Sequence, residues 1–141
     1  MRLGGLTAHK RENIMELFVK HESEVPYRFD GISGPKYLLR GPRSDFGLVI
    51  LMPGEDFQTH YHRRIEENFY TLEGNVDLYV KDKHLVLHPG ELCHVPPLHP
   101  HYLINRGDVP WKAIFVKAPY DPSDKVNVEW LPGDAPLLEV S

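Results

Sequence analysis

Apolar and polar side chains alternate in short runs along most of this chain, and the runs end at clusters rich in Gly, Pro, Asn or Asp. A period of two is that of an extended strand, whose successive side chains point to opposite faces. The pattern predicts strands over residues 36–40, 46–52, 57–62, 67–72, 76–80, 84–87, 91–95, 102–105 and 111–117. Turns at Pro53-Gly54, Glu73-Gly74-Asn75, Lys81-Asp82-Lys83, Pro89-Gly90 and Arg106-Gly107-Asp108 separate them, since such residues supply the bends that strands lack. Many short strands at such regular spacing argue for an all-β antiparallel sandwich or barrel.

The two ends depart from the pattern. Residues 1–14 are polar and unpatterned, which predicts a poorly ordered N-terminal segment ahead of one domain over 15–141. Ile14, Leu17 and Phe18 have helical spacing, yet residues 17–29 are rich in β formers and broken by Pro26, so an edge strand is the preferred reading. Pro119, Pro122, Pro132 and Pro136 predict an extended tail, lying along the barrel or across to a second subunit and carrying no chemistry of its own.

Composition narrows the partners. A chain of 141 residues can close one core, and its net charge of -4 without any basic run makes nucleic acid an unexpected partner. Cys93 is the only cysteine, which excludes an intramolecular disulfide and a Cys-based zinc site and fits a reducing cytoplasm. No apolar run is long enough to cross a membrane, and the first residues lack the apolar stretch of a signal peptide, so a cytoplasmic protein is expected.

Nine histidines are unusual for this size, and most lie between His60 and His101. On a strand, His60 and His62 share a face, so their rings can converge on one ion. Five residues further on, past a short turn through Arg63 and Arg64, Glu67 can enter the adjacent strand facing the same interior, although Glu66 competes with it. Pro96 and Pro97 shape a loop that delivers His101. Three imidazoles and one carboxylate suit a divalent transition metal: Fe, Mn, Ni, Zn or Cu. Gln58 shares the parity of the two histidines, so it faces either the pocket or the water at its mouth. His99 lies two residues before His101 and is either a second pocket group or an ordinary loop residue. Arg64 is a candidate for an anionic substrate at the rim, and Phe69, Thr71, Leu103, Trp111, Ala113 and Phe115 are candidates for an apolar lining or for plain core.

These positions resemble the cupin superfamily. Gly54, His60, His62, Glu67 and Gly74 fit its first motif over 54–74; Pro96, His101 and Asn105 fit its second over 89–105, with Leu98 where the pattern has glycine. The resemblance selects Glu67 over Glu66 and implies a double-stranded β-helix, the jelly-roll barrel. It also implies a metal on His60, His62, Glu67 and His101, a homodimer, and a differently bent loop at Leu98. The expected function is a metal-dependent enzyme on a small oxygen-rich molecule, most simply a dioxygenase-like oxygenase, or else an isomerase or lyase. Glu67 is the candidate catalytic proton acceptor, with Gln58, His99, Phe69 and Arg64 as candidate substrate contacts. The alternative is a sugar- or metabolite-binding module without catalysis. Metal occupancy is expected to fall as pH drops through about 6.5, where free imidazole protonates.

Overall fold

The computed structural model describes residues 16–137 and residue 140, so the expectation for residues 1–14 lies outside the described residues. The strands are β1 (Gly34–Arg40), β2 (Asp45–Leu51), β3 (Asp56–Tyr61), β4 (Glu66–Glu73), β5 (Val76–Val80), β6 (Lys83–Leu87), β7 (Leu92–Val95), β8 (His101–Ile104), β9 (Trp111–Ala118) and β10 (Val126–Asn127). They form two five-stranded antiparallel sheets, ordered β1-β2-β9-β4-β7 and β10-β3-β8-β5-β6. The interleaved order, with sequence neighbours β2 and β3 in opposite sheets, is that of a double-stranded β-helix, so the chain is all-β as its alternation implies.

Between the sheets the inward positions meet. Val49, Leu51, Phe69, Val95, Ala113 and Phe115 from the first sheet pack on Val76, Leu78, Leu87 and Leu103 from the second, with Trp111 fully buried among them. Burying each such side chain is worth roughly 1.5–3 kcal/mol. The few polar groups admitted to this core are paired: Trp111 Nε1 donates to Thr71 Oγ1 at 2.9 Å, and the Asn105 amide donates to the carbonyls of Leu51 and Val109. Asn105 thereby ties the end of β8 to β2. Cys93 is half-buried against the core, and burial raises the pKa of its thiol.

Two glycines are required by close approach. A Cβ on Gly47 would lie 2.3 Å from the Lys36 carbonyl oxygen and 2.4 Å from the Phe115 ring, and one on Gly74 would lie 2.2 Å from the Pro110 carbonyl oxygen. Gly47 leaves the space in which Tyr37 and Phe115 meet edge to face, with ring centroids 5.1 Å apart.

Residues 17–29 form no edge strand. His21 caps a 3₁₀ turn at Glu22–Glu24, where its ring accepts from Ser23 N–H while the Glu24 carboxylate accepts from His21 N–H. That local cap competes with a ladder, and Leu17 and Val19 stay exposed. The segment is anchored instead through Lys36, which donates to the Glu22 carbonyl at 2.7 Å and sits over the Tyr27 ring.

Candidate metal centre

His60 is the penultimate residue of β3, beside its cross-strand partner His101 on β8, and His62 follows just past the strand. Glu67 enters at the start of β4 in the opposite sheet. The four side chains are buried, and one donor atom from each lies within 4.8 Å of all the others. Glu67 Oε1 is 3.3 Å from His101 Nε2, 3.5 Å from His62 Nε2 and 4.0 Å from His60 Nε2.

Each imidazole is oriented by a backbone carbonyl behind it. Nδ1 of His60 faces the Gln58 carbonyl at 2.8 Å, Nδ1 of His101 faces the His99 carbonyl at 2.9 Å, and Nδ1 of His62 faces the Asp124 carbonyl. A carbonyl only accepts, so each Nδ1 carries the hydrogen and each Nε2 turns a lone pair toward the centre. Four electron-pair donors thus converge on one point, which is unfavourable unless a cation occupies it. His62 Nε2 is fully buried without a hydrogen-bond partner, as a ligand atom held ready for an ion would be. The donor set therefore fits a divalent transition metal, and several ions satisfy it.

The electrostatics agree. Burial and the neighbouring His101 push the His60 pKa down to about 3, against the opposing pull of Glu67 and the Gln58 carbonyl, so His60 is neutral and ready to ligate. Burial alone would raise the Glu67 carboxyl, yet the surrounding imidazoles of His101, His62 and His60 hold it well below the usual range, as a carboxylate.

The cluster opens into a cavity of about 270 Å³ whose apolar lining includes Phe57, Ile65, Phe69, Leu103 and Phe115. Exposed at its mouth are Arg28, Arg40 and the tail residues Pro122 and Lys125, while Tyr37, Lys117 and Asp121 are half-buried in its wall and Asp45 and Asp124 are buried there. The tail thus differs from the expectation that it has no chemistry. Asp124 is buried, and its carboxylate accepts from the backbone N–H groups of Arg63, Arg64 and Ile65 at 2.8, 2.7 and 3.0 Å. Burial would raise its pKa, but those three donors, with His62 nearby, hold it low. One tail residue therefore fixes both the His62 ring and the turn between His62 and Glu67.

The structure brings His60, His62, Glu67 and His101 together, and Phe69 onto the cavity wall. Gln58 is exposed: a bulge in β3 between Phe57 and His60 breaks the alternation, so Phe57 takes the inward place. The Arg64 side chain is two-thirds exposed and pairs outward with Asp121 at 3.3 Å. His99 turns its ring to the Pro97 carbonyl and contributes only its own carbonyl, behind His101. Thr71, Trp111 and Ala113 are core. Glu66 points away from the cluster toward Asn68 and His94. Leu98 adopts φ +66°, the left-handed conformation that glycine takes without strain, and its N–H donates to the His62 carbonyl at 2.7 Å, so the loop needs no different bend. His84, His88 and His94 are exposed and pair with nearby side chains.

Lys117 and Asp45 were legible but unread. Both keep the inward parity of their strands, Lys117 with Ala113 and Phe115 and Asp45 with Val49 and Leu51, and a charge at an apolar position is a signal. No sequence signal marks Asp124, which depends on where the tail folds back.

Known proteins agree with this architecture. The chain is 31% identical to the tetracenomycin polyketide synthase protein TcmJ of Streptomyces glaucescens, over 67% of this chain and 66% of that one. It is also 31% identical to a glucose-6-phosphate isomerase of Thermococcus litoralis, over 48% of this chain and 42% of the relative. The matches thus span less than two-thirds of these relatives' length. A solved Klebsiella pneumoniae protein with a double-stranded β-helix domain superposes with a TM-score of 0.69 at 18% identity, covering 82% of this chain and all of that one. The cupin-domain family profile matches residues 47–117, which contain both motifs, all four donors and the cavity's apolar wall, and the chain belongs to the cupin family.

Proposed function

We propose that this cupin is a metal-dependent enzyme that moves protons on a small oxygen-rich organic molecule, as an isomerase or lyase does. The observation that carries the reading is that the donor cluster opens into a cavity with a polar mouth, whereas an ion kept only for structure is closed off by its ligands. A divalent ion held by His60, His62, Glu67 and His101 would supply Lewis-acid polarisation of a substrate carbonyl or hydroxyl. The chain's own residues do the rest. Phe57, Phe69, Leu103 and Phe115 exclude water on one side, with Phe69 the candidate substrate contact. Glu67 lines the cavity and is the proton acceptor in this reading, a role that requires its carboxylate to be released from the ion, since coordination and its depressed pKa both weaken it as a base. The isomerase named among the relatives supports the class.

An oxygenase is the second reading, favoured by the donor set itself, because three imidazoles and a carboxylate also suit Fe(II). The homodimer that the family resemblance implies belongs to the same proposal, and sedimentation equilibrium tests it.

The deciding experiment incubates Fe-, Mn-, Ni- and Zn-loaded protein in D₂O with aldoses, ketoses, 1,2-diols and aci-reductones, read by NMR. Metal-dependent deuterium incorporation beside a carbonyl is the expected result. Stoichiometric oxygen uptake would favour the oxygenase instead. Ligand binding without turnover by every metal form would leave a non-catalytic binding module and defeat the proposal.

A further inference from the structure

A row of charged side chains crosses the first sheet and ends at the metal cluster. In register, Arg40 on β1 pairs with Asp45 on β2, Asp45 with Lys117 on β9, and Lys117 with Glu67 on β4. All four line the cavity. The Lys117 ammonium donates to the Tyr37 hydroxyl at 2.7 Å and lies 5.0 Å from the centre of that ring, while the Arg40 and Arg28 guanidiniums stand 4.4 and 5.9 Å from it. Three cations thus converge on one aromatic ring beside the donors.

Among the described residues none of the three forms an ion pair with a carboxylate; Lys117 is half-buried, where a cation is ordinarily paired, while Arg28 and Arg40 stand exposed at the cavity rim. Asp45, the nearest acid in the row, already accepts the Gly41 N–H at 3.1 Å, and Asp121 and Asp124 are engaged by Arg64 and by the turn. The lining holds four cations, Arg28, Arg40, Lys117 and Lys125, against four acids, Asp45, Glu67, Asp121 and Asp124. A divalent ion on Glu67 leaves that balance positive by two charges, which a substrate anion would offset.

We infer that Lys117, Arg40 and Arg28 form an oxyanion-binding subsite, so that the substrate is a compact organic acid or phosphate ester. Its anionic group is held at the cavity mouth and its hydroxyl or carbonyl oxygen reaches the metal cluster. The cavity is at the small end of ligand pockets, which run from roughly 300 to 1,000 Å³, and that size excludes an oligosaccharide or a polyketide chain held whole. A guanidinium fork and an ammonium can take either a carboxylate or a phosphate. The inference rests on the proposed metal-enzyme reading for the metal-directed end of the substrate, but not for the anionic end.

The test is calorimetric titration of apo and Zn(II)-loaded protein with three probes sharing a hydroxylated carbon chain: glycerate, glycerol 3-phosphate and neutral glycerol. At least one anion is expected to bind about tenfold or more tighter than glycerol, as charge-assisted hydrogen bonds imply. Glycerate and glycerol 3-phosphate separate the carboxylate source from the phosphate source. Lys117→Gln and Arg40→Gln should each abolish most of that preference and Lys117→Arg should restore it, with zinc content and thermal unfolding unchanged. Equal affinity for the three probes, binding of none, or glutamine variants that still prefer the anion would each overturn the subsite. A wild-type protein that prefers the anion yet holds no metal would instead overturn the metal-enzyme reading and leave the subsite standing.

Discussion

Removing the Asp124 carboxylate is the most informative single perturbation, because that carboxylate acts on the metal centre through the turn between His62 and Glu67. Asp124→Ala leaves the backbone carbonyl that orients His62 but strips the acceptor from three N–H groups in the turn between His62 and Glu67. The Ile65 N–H is in a buried bond and would be orphaned at a cost of about 1–3 kcal/mol, while the part-buried Arg63 and Arg64 amides recover water and lose about 0.5 kcal/mol each. The expected loss of apo stability is about 2–4 kcal/mol, read from urea unfolding in the presence of a chelator. Loosening the turn also costs metal affinity, by about 10-fold to 100-fold as for other groups that orient ligands, measured by competition with a chromophoric chelator. The Asp124 pKa is depressed in the folded protein, so its contribution is complete above the unfolded value near 4 and disappears as pH falls through the lower folded value. The gap between wild type and variant should therefore close in strong acid. Apo stability within about 0.5 kcal/mol of wild type at pH 7, together with zinc affinity within twofold, would refute the clamp.

Replacing a ligand acts more directly: His62→Ala and His101→Ala should each lower metal affinity by more than about tenfold, and unchanged metal stoichiometry in elemental analysis of His62→Ala would contradict the centre. Because the His60 pKa falls to about 3 on folding, the unfolded chain binds a proton that the apo protein does not. Stability should therefore decline as pH drops from about 6.5 toward 3, by up to about 1.4 kcal/mol per pH unit, whereas His60→Gln should decline less steeply in parallel urea titrations. Gly47→Ala places a methyl against the Lys36 carbonyl and the Phe115 ring, and should cost about 1–3 kcal/mol in thermal unfolding; an unaltered midpoint would mean that β1 and β2 yield freely there.

Much of this was written in local pattern. The strands from β1 to β9 follow a period of two closed by glycine and proline turns, so their boundaries differ from the expected ones by at most a residue or two. The donor set was equally legible, because His60, His62 and Glu67 sit at short fixed separations on two successive strands. The misreadings have physical causes. Gln58 was carried inward by an alternation that the β3 bulge interrupts, and residues 17–29 have the composition of a strand but close on themselves through the His21 cap. The tail was the least readable part, since Asp124 acquires its role from contacts to residues about 60 positions earlier, which no local period encodes.

The fold-back at Asp124 sets an order of events in biosynthesis. During translation the histidines and Glu67 leave the ribosome well before the residue that steadies His62, which lies 62 positions behind it. Until that later stretch has emerged and docked, the nascent barrel carries donors whose His62 ring and connecting turn are not yet clamped, so tight metal binding waits on the tail.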